Sequence, residues 1–361
     1  MTTPWYAVRE DVKDALDVLE TKRANREIDR QIAAASRQID RKMHRIFYPE
    51  IATRSFDWPD PQAHWPWRLF FEEGGSRHVE LAGPLTSLVS GGVTIPLGNV
   101  KYYPPDNPPY DWLELDVSST SVFNATDTWQ QTTVAVGPWG FGMDELAAGT
   151  LAGNLNATDT SVNLGVPGYR GVGSLLRIDS ERFIVTDRSM TTSGQVLGAG
   201  GLDVKNSTVL VPVSDSSQYA AGEVILIDGE RMRVEDTAGA TNLLVHRAWD
   251  GSPIAAHTAG ATIYANRLLT VERGALGTTA ATHNANAAIA EHEPPEDIRQ
   301  LCVAQAVANL VQTRAGYPAA QARRASLGAG GSPPPTPPSS LNDLWDAAED
   351  NYRRKGRSRA V

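Results

Sequence analysis

One stretch constrains the rest of the chain. From Asn25 to Ile46, NREIDRQIAAASRQIDRKMHRI, the apolar residues Ile28, Ile32, Ala35, Ile39, Met43 and Ile46 recur at steps of three and four. That spacing places them in one stripe along a helix with otherwise charged faces and no Gly or Pro to break it. A rod of roughly 30 Å with one apolar side needs partners. The chain offers two. Thr3-Pro4 reads as a helix start, after which Val8, Val12, Ala15, Leu16 and Leu19 keep helical spacing. Far downstream, Pro294-Pro295-Glu296-Asp297 opens a second partner that carries Ile298, Leu301, Val303, Ala304, Val307, Ala308, Leu310 and Val311. Gly316-Tyr317-Pro318 reads as its stop. The expected fold class is α+β. A helical core of the N-terminal pair (1–57) and the late helix (291–317) is expected to loop out everything between as strands.

From Phe56 the period shortens to that of strands. Trp67–Phe71, His78–Leu81, Leu85–Val89 and Trp112–Asp116 alternate or run apolar between Gly- and Pro-rich turns, so 58–148 reads as an antiparallel β region. Its aromatics include Trp58, Trp65, Trp67, Tyr102, Tyr103, Tyr110, Trp112, Trp129 and Trp139. A sugar-binding platform needs some of them exposed; in a small sheet they read first as core and subunit contacts.

The next section repeats. Leu176–Val185 and Ile225–Val234 share I-D-x-E-R followed by alternating apolar residues, each a hairpin turning on Asp179-Ser180 or Asp228-Gly229, the latter a type I′ signature. A second pair follows. Arg247, Gly251 and His257 match Arg273, Gly277 and His283 in spacing, with Ile263 and Ile289 six residues beyond each histidine. Glu230 and Arg247 are 17 residues apart, Glu181 and Arg273 are 92, and the excess of 75 is about the size of the inner unit. The expectation is an inner β-module (202–267) inserted into an outer one of the same kind (149–201 and 268–290), both on one stem.

Catalytic chemistry has little to rest on. Asp179 with Glu181, and Asp228 with Glu230, resemble paired carboxylates, but hairpin turns account for the aspartates. His257 and His283 have no second histidine or cysteine at ligand spacing and read as structural. Glu291-His292-Glu293 has metal-ligand composition, yet it lies where acids favour the start of the late helix. Cys302 falls in an apolar register and reads as core. Phosphate-binding loops, nucleophile elbows and zinc signatures are absent from the sequence. The expectation is no enzyme, no cofactor and no metal. A wall hydrolase acting through Asp179, Glu181 or His283 would need those groups to converge in a cleft.

The net charge of −9 argues against a general nucleic-acid binder. No apolar run has the length of a membrane span. The start lacks a basic-then-apolar leader, so a protein made and kept in a cytoplasm is expected. Segment 318–340 reads as a Gly- and Pro-rich linker. Beyond it, 341–361 reads as a docking tail with Leu341, Leu344, Trp345, Ala348 and Tyr352 on one side, followed by Arg353, Arg354, Lys355 and Arg357. The competing reading is a solubilising tail.

Several of these stretches carry a family resemblance. The A-A-S-R-Q-I-D of Ala34–Asp40, R-I-F-Y-P of Arg45–Pro49, R-S-F-D-W-P of Arg54–Pro59, the Pro108–Leu115 strand and the late helix opening P-P-E-D-I resemble head-to-tail connector (adaptor) proteins of long-tailed phages, especially those infecting actinobacteria. The resemblance covers about 1–145 and 291–317; the nested modules depart from the smaller family pattern. It implies a structural virion protein, assembled in the host cytoplasm into a dodecameric ring at the head–tail interface. Its partners would be the portal protein and the next tail-side connector, stopper or tail terminator. Viral DNA would pass through the channel without specific binding, helped by an acidic lumen that does not hold phosphates. The tail residues named above would be portal-binding, and Arg26, Arg30, Arg37 and Arg41 would lie at subunit interfaces. The contrasting reading is a virion-associated protein that binds carbohydrate or a host surface through the aromatic region and repeated modules.

Overall fold

A computed structural model describes residues 3–16, 25–58, 66–73, 77–165, 170–207, 209–326 and 339–352. The chain is mixed α and β with large antiparallel sheets. Two helices, α1 (Arg9–Leu16) and α2 (Asn25–Met43), come first. Strands β1 (Glu50–Phe56), β2 (Arg68–Phe70), β3 (Glu72–Glu73), β4 (Arg77–His78), β5 (Ser87–Ser90), β6 (Val93–Thr94), β7 (Val100–Tyr103), β8 (Trp112–Leu115) and β9 (Thr133–Trp139) follow. Then come β10 (Glu145–Thr150), β11 (Ser161–Asn163), β12 (Leu175–Ile178), β13 (Glu181–Val196), β14 (Leu210–Pro212), β15 (Val224–Ile227), β16 (Glu230–Thr237), β17 (Asn242–His246), β18 (Thr262–Glu272) and β19 (Ala288–His292). Helices α3 (Glu296–Ser326) and α4 (Ser339–Tyr352) close the chain.

The apolar stripe of α2 behaves as its spacing demands. Ile28, Ile32, Ala35, Ile39 and Met43 are completely buried, in one cluster with Val12 of α1, Ile298, Leu301, Cys302, Ala306 and Leu310 of α3, and Leu341, Trp345 and Ala348 of α4. Ser36, in the same stripe, is buried because its hydroxyl returns a hydrogen bond to the Ile32 carbonyl at 2.9 Å and accepts the Tyr6 N–H at 3.1 Å. α3 begins at Glu296, where the Pro-Pro-acid signal places it, but runs through Gly316-Tyr317-Pro318 to Ser326. Proline removes one intrahelical bond, whereas the following Ala319-Ala320-Gln321-Ala322 are strong helix formers that resume the turn. Residues 318–326 of the expected linker therefore belong to α3, and 327–338 lie outside the described residues.

The region after α2 forms a four-stranded sheet, β1-β9-β5-β6, and a three-stranded one, β2-β8-β7. Phe56, Phe71 and Trp139 pack between them, with Phe71 edge-on to Trp139 at 5.2 Å between ring centroids. The third large sheet has ten strands in the order β10-β19-β12-β13-β18-β15-β16-β17-β14, with β11 also paired to β18. Its centre is the 16-residue β13, whose early residues pair with the end of β18 and whose late residues pair with its beginning. Irregularities at Val185/Asp187, Ser189/Thr191 and Thr192/Val196 increase the twist along this pair. Two apolar clusters line the sheet, one containing Ile178, Phe183 and Val271, the other Ile227, Met232 and Val245.

Candidate functional site

The two repeated hairpins each bring four ionisable side chains together. The turns fold locally for one reason: the aspartate, at φ 52° for Asp179 and 50° for Asp228, takes the left-handed conformation that Asp tolerates. Gly229 is not left-handed, so the second hairpin departs from the expected type I′ form. The glutamate that begins the next strand then points inward. Glu230 receives the Arg247 guanidinium in a two-pronged pair at 2.9 and 2.7 Å, and the N–H groups of Ala248 and Ala255 at 3.2 and 3.0 Å. His257 lies between two carboxylates, Nδ1 at 2.7 Å from Asp228 and Nε2 at 3.0 Å from Glu230. The other cluster repeats this group for group. Glu181 pairs with Arg273 at 2.8 and 2.8 Å and accepts the Gly274 and Ala281 N–H groups, while His283 bridges Asp179 at 2.7 Å and Glu181 at 2.9 Å.

The arginines also close the loops around them. Arg247 donates to the carbonyls of Asp203, Lys205 and Ala255, and Arg273 to those of Asn156, Asp159 and Ala281. The side chains of Glu230, Arg247 and His257 are wholly buried, while Asp179 and Asp228 stay in solvent. Each ring places one nitrogen against an exposed aspartate and the other against the buried glutamate. Burial alone would raise the glutamate pKa values. The arginine, the histidine and the backbone N–H groups outweigh it and hold Glu181 and Glu230 down to about 2.

Asp179, Glu181 and His283 thus converge, although the hairpin placement argued against it. Every glutamate oxygen is committed to arginine, histidine or backbone, so the arrangement ties a loop to a hairpin. Among the described residues, no group of three or more His, Cys, Asp and Glu is placed to hold a metal ion. Glu291 pairs with Arg170, and His292 Nε2 lies 2.7 Å from the Phe47 carbonyl oxygen. Burial pushes the Cys302 thiol up to about 12, against a smaller opposing effect from Ser36.

The surface candidates separate into two groups. Arg26, Arg30 and Arg41 are exposed on α2, where Arg30 Nε donates to the Arg26 carbonyl and Arg41 Nε to that of Arg37. Arg37 is used internally: it pairs with Asp40 at 2.7 Å and donates to Tyr48 Oη at 3.1 Å and the Pro4 carbonyl at 2.5 Å. Its guanidinium fastens the N-terminal segment to α2.

The apolar face of α4 is also occupied. Leu341, Trp345 and Ala348 are buried against the helices, and Trp345 Nε1 donates to Gln305 Oε1 of α3 at 3.0 Å. Leu344 and Tyr352 are partly buried, the latter edge-on to Phe47 and Phe141. Lys42 of α2 sits over the Trp345 ring at 4.2 Å and pairs with Glu349 at 2.5 Å. Arg353, Arg354, Lys355 and Arg357 lie outside the described residues. The aromatic residues of the sheets mostly face inward or stack on one another, as Tyr103 does on Trp112 at 5.5 Å; Trp129 is exposed.

One contact surface had no local sequence signal. Three charged residues of α1 bond to the large sheet and the turn after β17: Glu10 with Arg188, Lys13 with Asp250, and Asp14 with Arg233, while Asp250 also accepts from Arg231 at 3.2 Å. Glu10 and Lys13 are buried, which periodicity reads as a solvated face. Among the described residues no helix is long and apolar enough to cross a membrane. No protein-family model matches this chain, and neither the curated proteins nor the solved structures contain a match.

Proposed function

We propose that the chain is a structural ring adaptor of a phage virion, placed between portal and tail with the genome channel at its centre. The observation that carries this reading is the pairing of an outward arginine face on α2 with a terminal helix that seats through one small apolar face. The first is a surface for neighbouring subunits. The second is an element that can exchange its seat on its own body for one on the portal, since it follows the Gly- and Pro-rich segment 327–338. The motif resemblance of 1–145 and 291–317 to connector proteins points the same way. In this reading α1, α2 and α3 form the helical core of the ring.

The matching charged clusters support a nested origin for the large sheet, with 202–267 a copy of the unit built from 149–201 and 268–290. Both copies would brace neighbouring subunits or face outward, and the protein would have no catalytic role.

The test is the solution mass of the intact chain, alone and with portal rings, beside a Leu344→Asp/Tyr352→Asp variant. A ring, or a monomer that joins portal, is expected for the parent, and loss of portal binding with unchanged circular dichroism for the variant. A parent that stays monomeric and ignores portal refutes the adaptor reading. Undiminished portal binding by the variant removes the anchor role of α4.

A further inference from the structure

The outer face of α4 has a composition of its own. Opposite Leu341, Trp345 and Ala348, it exposes Asp343, Asp346 and Asp350, and none of the three makes an ion pair among the described residues. Arg26 and Arg30, exposed in the first turns of α2, likewise have no carboxylate partner there. One member of each set stands at the wrong end of its helix: Arg26 in the first turn of α2, at its positive end, and Asp350 in the last turn of α4, at its negative end. Arg26 with Arg30 and Asp346 with Asp350 are also like-charged pairs at i,i+4, which is locally unfavourable. Two other charge pairs on these helices are matched within the chain, Lys42–Glu349 and Arg37–Asp40.

We propose that these two faces are complementary halves of one subunit contact: α4 of one copy lies antiparallel along α2 of the next, pairing Asp350 with Arg26 and Asp346 with Arg30. The spacing agrees. Both pairs are four residues apart, about 6 Å along a helix. The antiparallel direction brings the N-terminal end of α2 against the C-terminal end of α4, so the dipoles that disfavour each set in the monomer favour the pair. Because the faces lie on different elements, each copy keeps one face free after the first contact unless the two pair reciprocally; used head-to-tail, the contact builds the ring of the reading above. The inference rests on the ring reading above and supplies its acidic partner. It also gives α4 a second use: its inner face seats on its own body or on the portal, and its outer face recruits the next subunit.

Charge reversal tests it on the full chain. Arg26→Asp/Arg30→Asp and Asp346→Arg/Asp350→Arg should each lose ring mass by light scattering while keeping the parent circular dichroism. Mixing the two variants should restore rings in which they alternate, since each then presents the complement of the other; a chain carrying all four changes should also assemble. Restoration shows that neither variant failed merely by misfolding. If the parent forms rings and either reversal alone still does, or if the mixture stays monomeric, this contact is wrong while the ring stands. A parent that remains monomeric alone and on portal rings overturns both.

Discussion

Replacing Glu230 with Gln removes the charge at the centre of a cluster that excludes water. Arg247 is then left wholly buried without its counter-charge, and His257 Nε2 loses a carboxylate. The structure gives the size of the effect. Burial opposes the ionised form, yet Arg247, Ala255 N–H, His257 and Ala248 N–H together hold Glu230 at about 2 against an ordinary 4.5. That displacement corresponds to something on the order of 3 kcal/mol. It agrees with the ~3–5 kcal/mol expected when one member of a buried pair is removed. The sign follows from the depressed value: the contribution is complete above pH 4.5 and disappears as pH falls towards 2. Glu181 behaves in the same way, also at about 2. Urea unfolding at stepped pH should show the parent losing stability through this window. Glu230→Gln should be weaker at neutral pH, with a shallower acid dependence, and Glu181→Gln/Glu230→Gln shallower still. Hydrogen exchange at the Ala248 and Ala255 amides should rise first in the single variant. Parallel pH curves for parent and variant, or a neutral-pH cost under about 1 kcal/mol, would refute the reasoning.

Three further outcomes follow from particular contacts. Gly277 has φ 79° and its missing Cβ would fall 1.8 Å from the Ile51 carbonyl oxygen, so Gly277→Ala should cost at least about 2 kcal/mol by thermal unfolding. Gly92→Ala is the control, at φ 78° with open space around it, and should cost only about 1 kcal/mol. Trp345→Ala removes a buried ring and its bond to Gln305, so protease should cut 327–361 sooner while the sheets keep their protection. Cys302 should resist thiol reagents in native buffer and react only on unfolding, because it is buried and its thiol is pushed up to about 12.

How much of this was legible depends on sequence distance. The α2 stripe was readable because helical spacing is a local code, and the residues from Ile28 to Met43 that it selects are buried. The start of α3 and the two Asp hairpins were readable from local chemistry. The four-residue clusters were half legible: the repeated spacings tied Glu to Arg and His, but local chemistry explained the aspartates as turns and gave no reason for their carboxylates to reach a histidine. Lys13 meets Asp250 across 237 positions and Arg188 meets Glu10 across 178, and no periodicity reaches that far. Arg37 looked like its neighbours on the helix until Pro4, Asp40 and Tyr48 closed around it. α3 passed through Gly316 and Pro318 because those breakers were outweighed by the alanines beyond them.

The long β13 strand has a mechanical consequence. At about 3.3 Å per residue its 16 residues run roughly 50 Å, hydrogen-bonded along both halves to β18. Tension applied along the two strands in opposite directions would load many of these bonds in shear at once. Tension across them would peel the bonds open one after another. The direction of pull would therefore decide whether the sheet acts as a stiff tie-rod or as a zipper, and pulling along the strand axis would find it at its strongest.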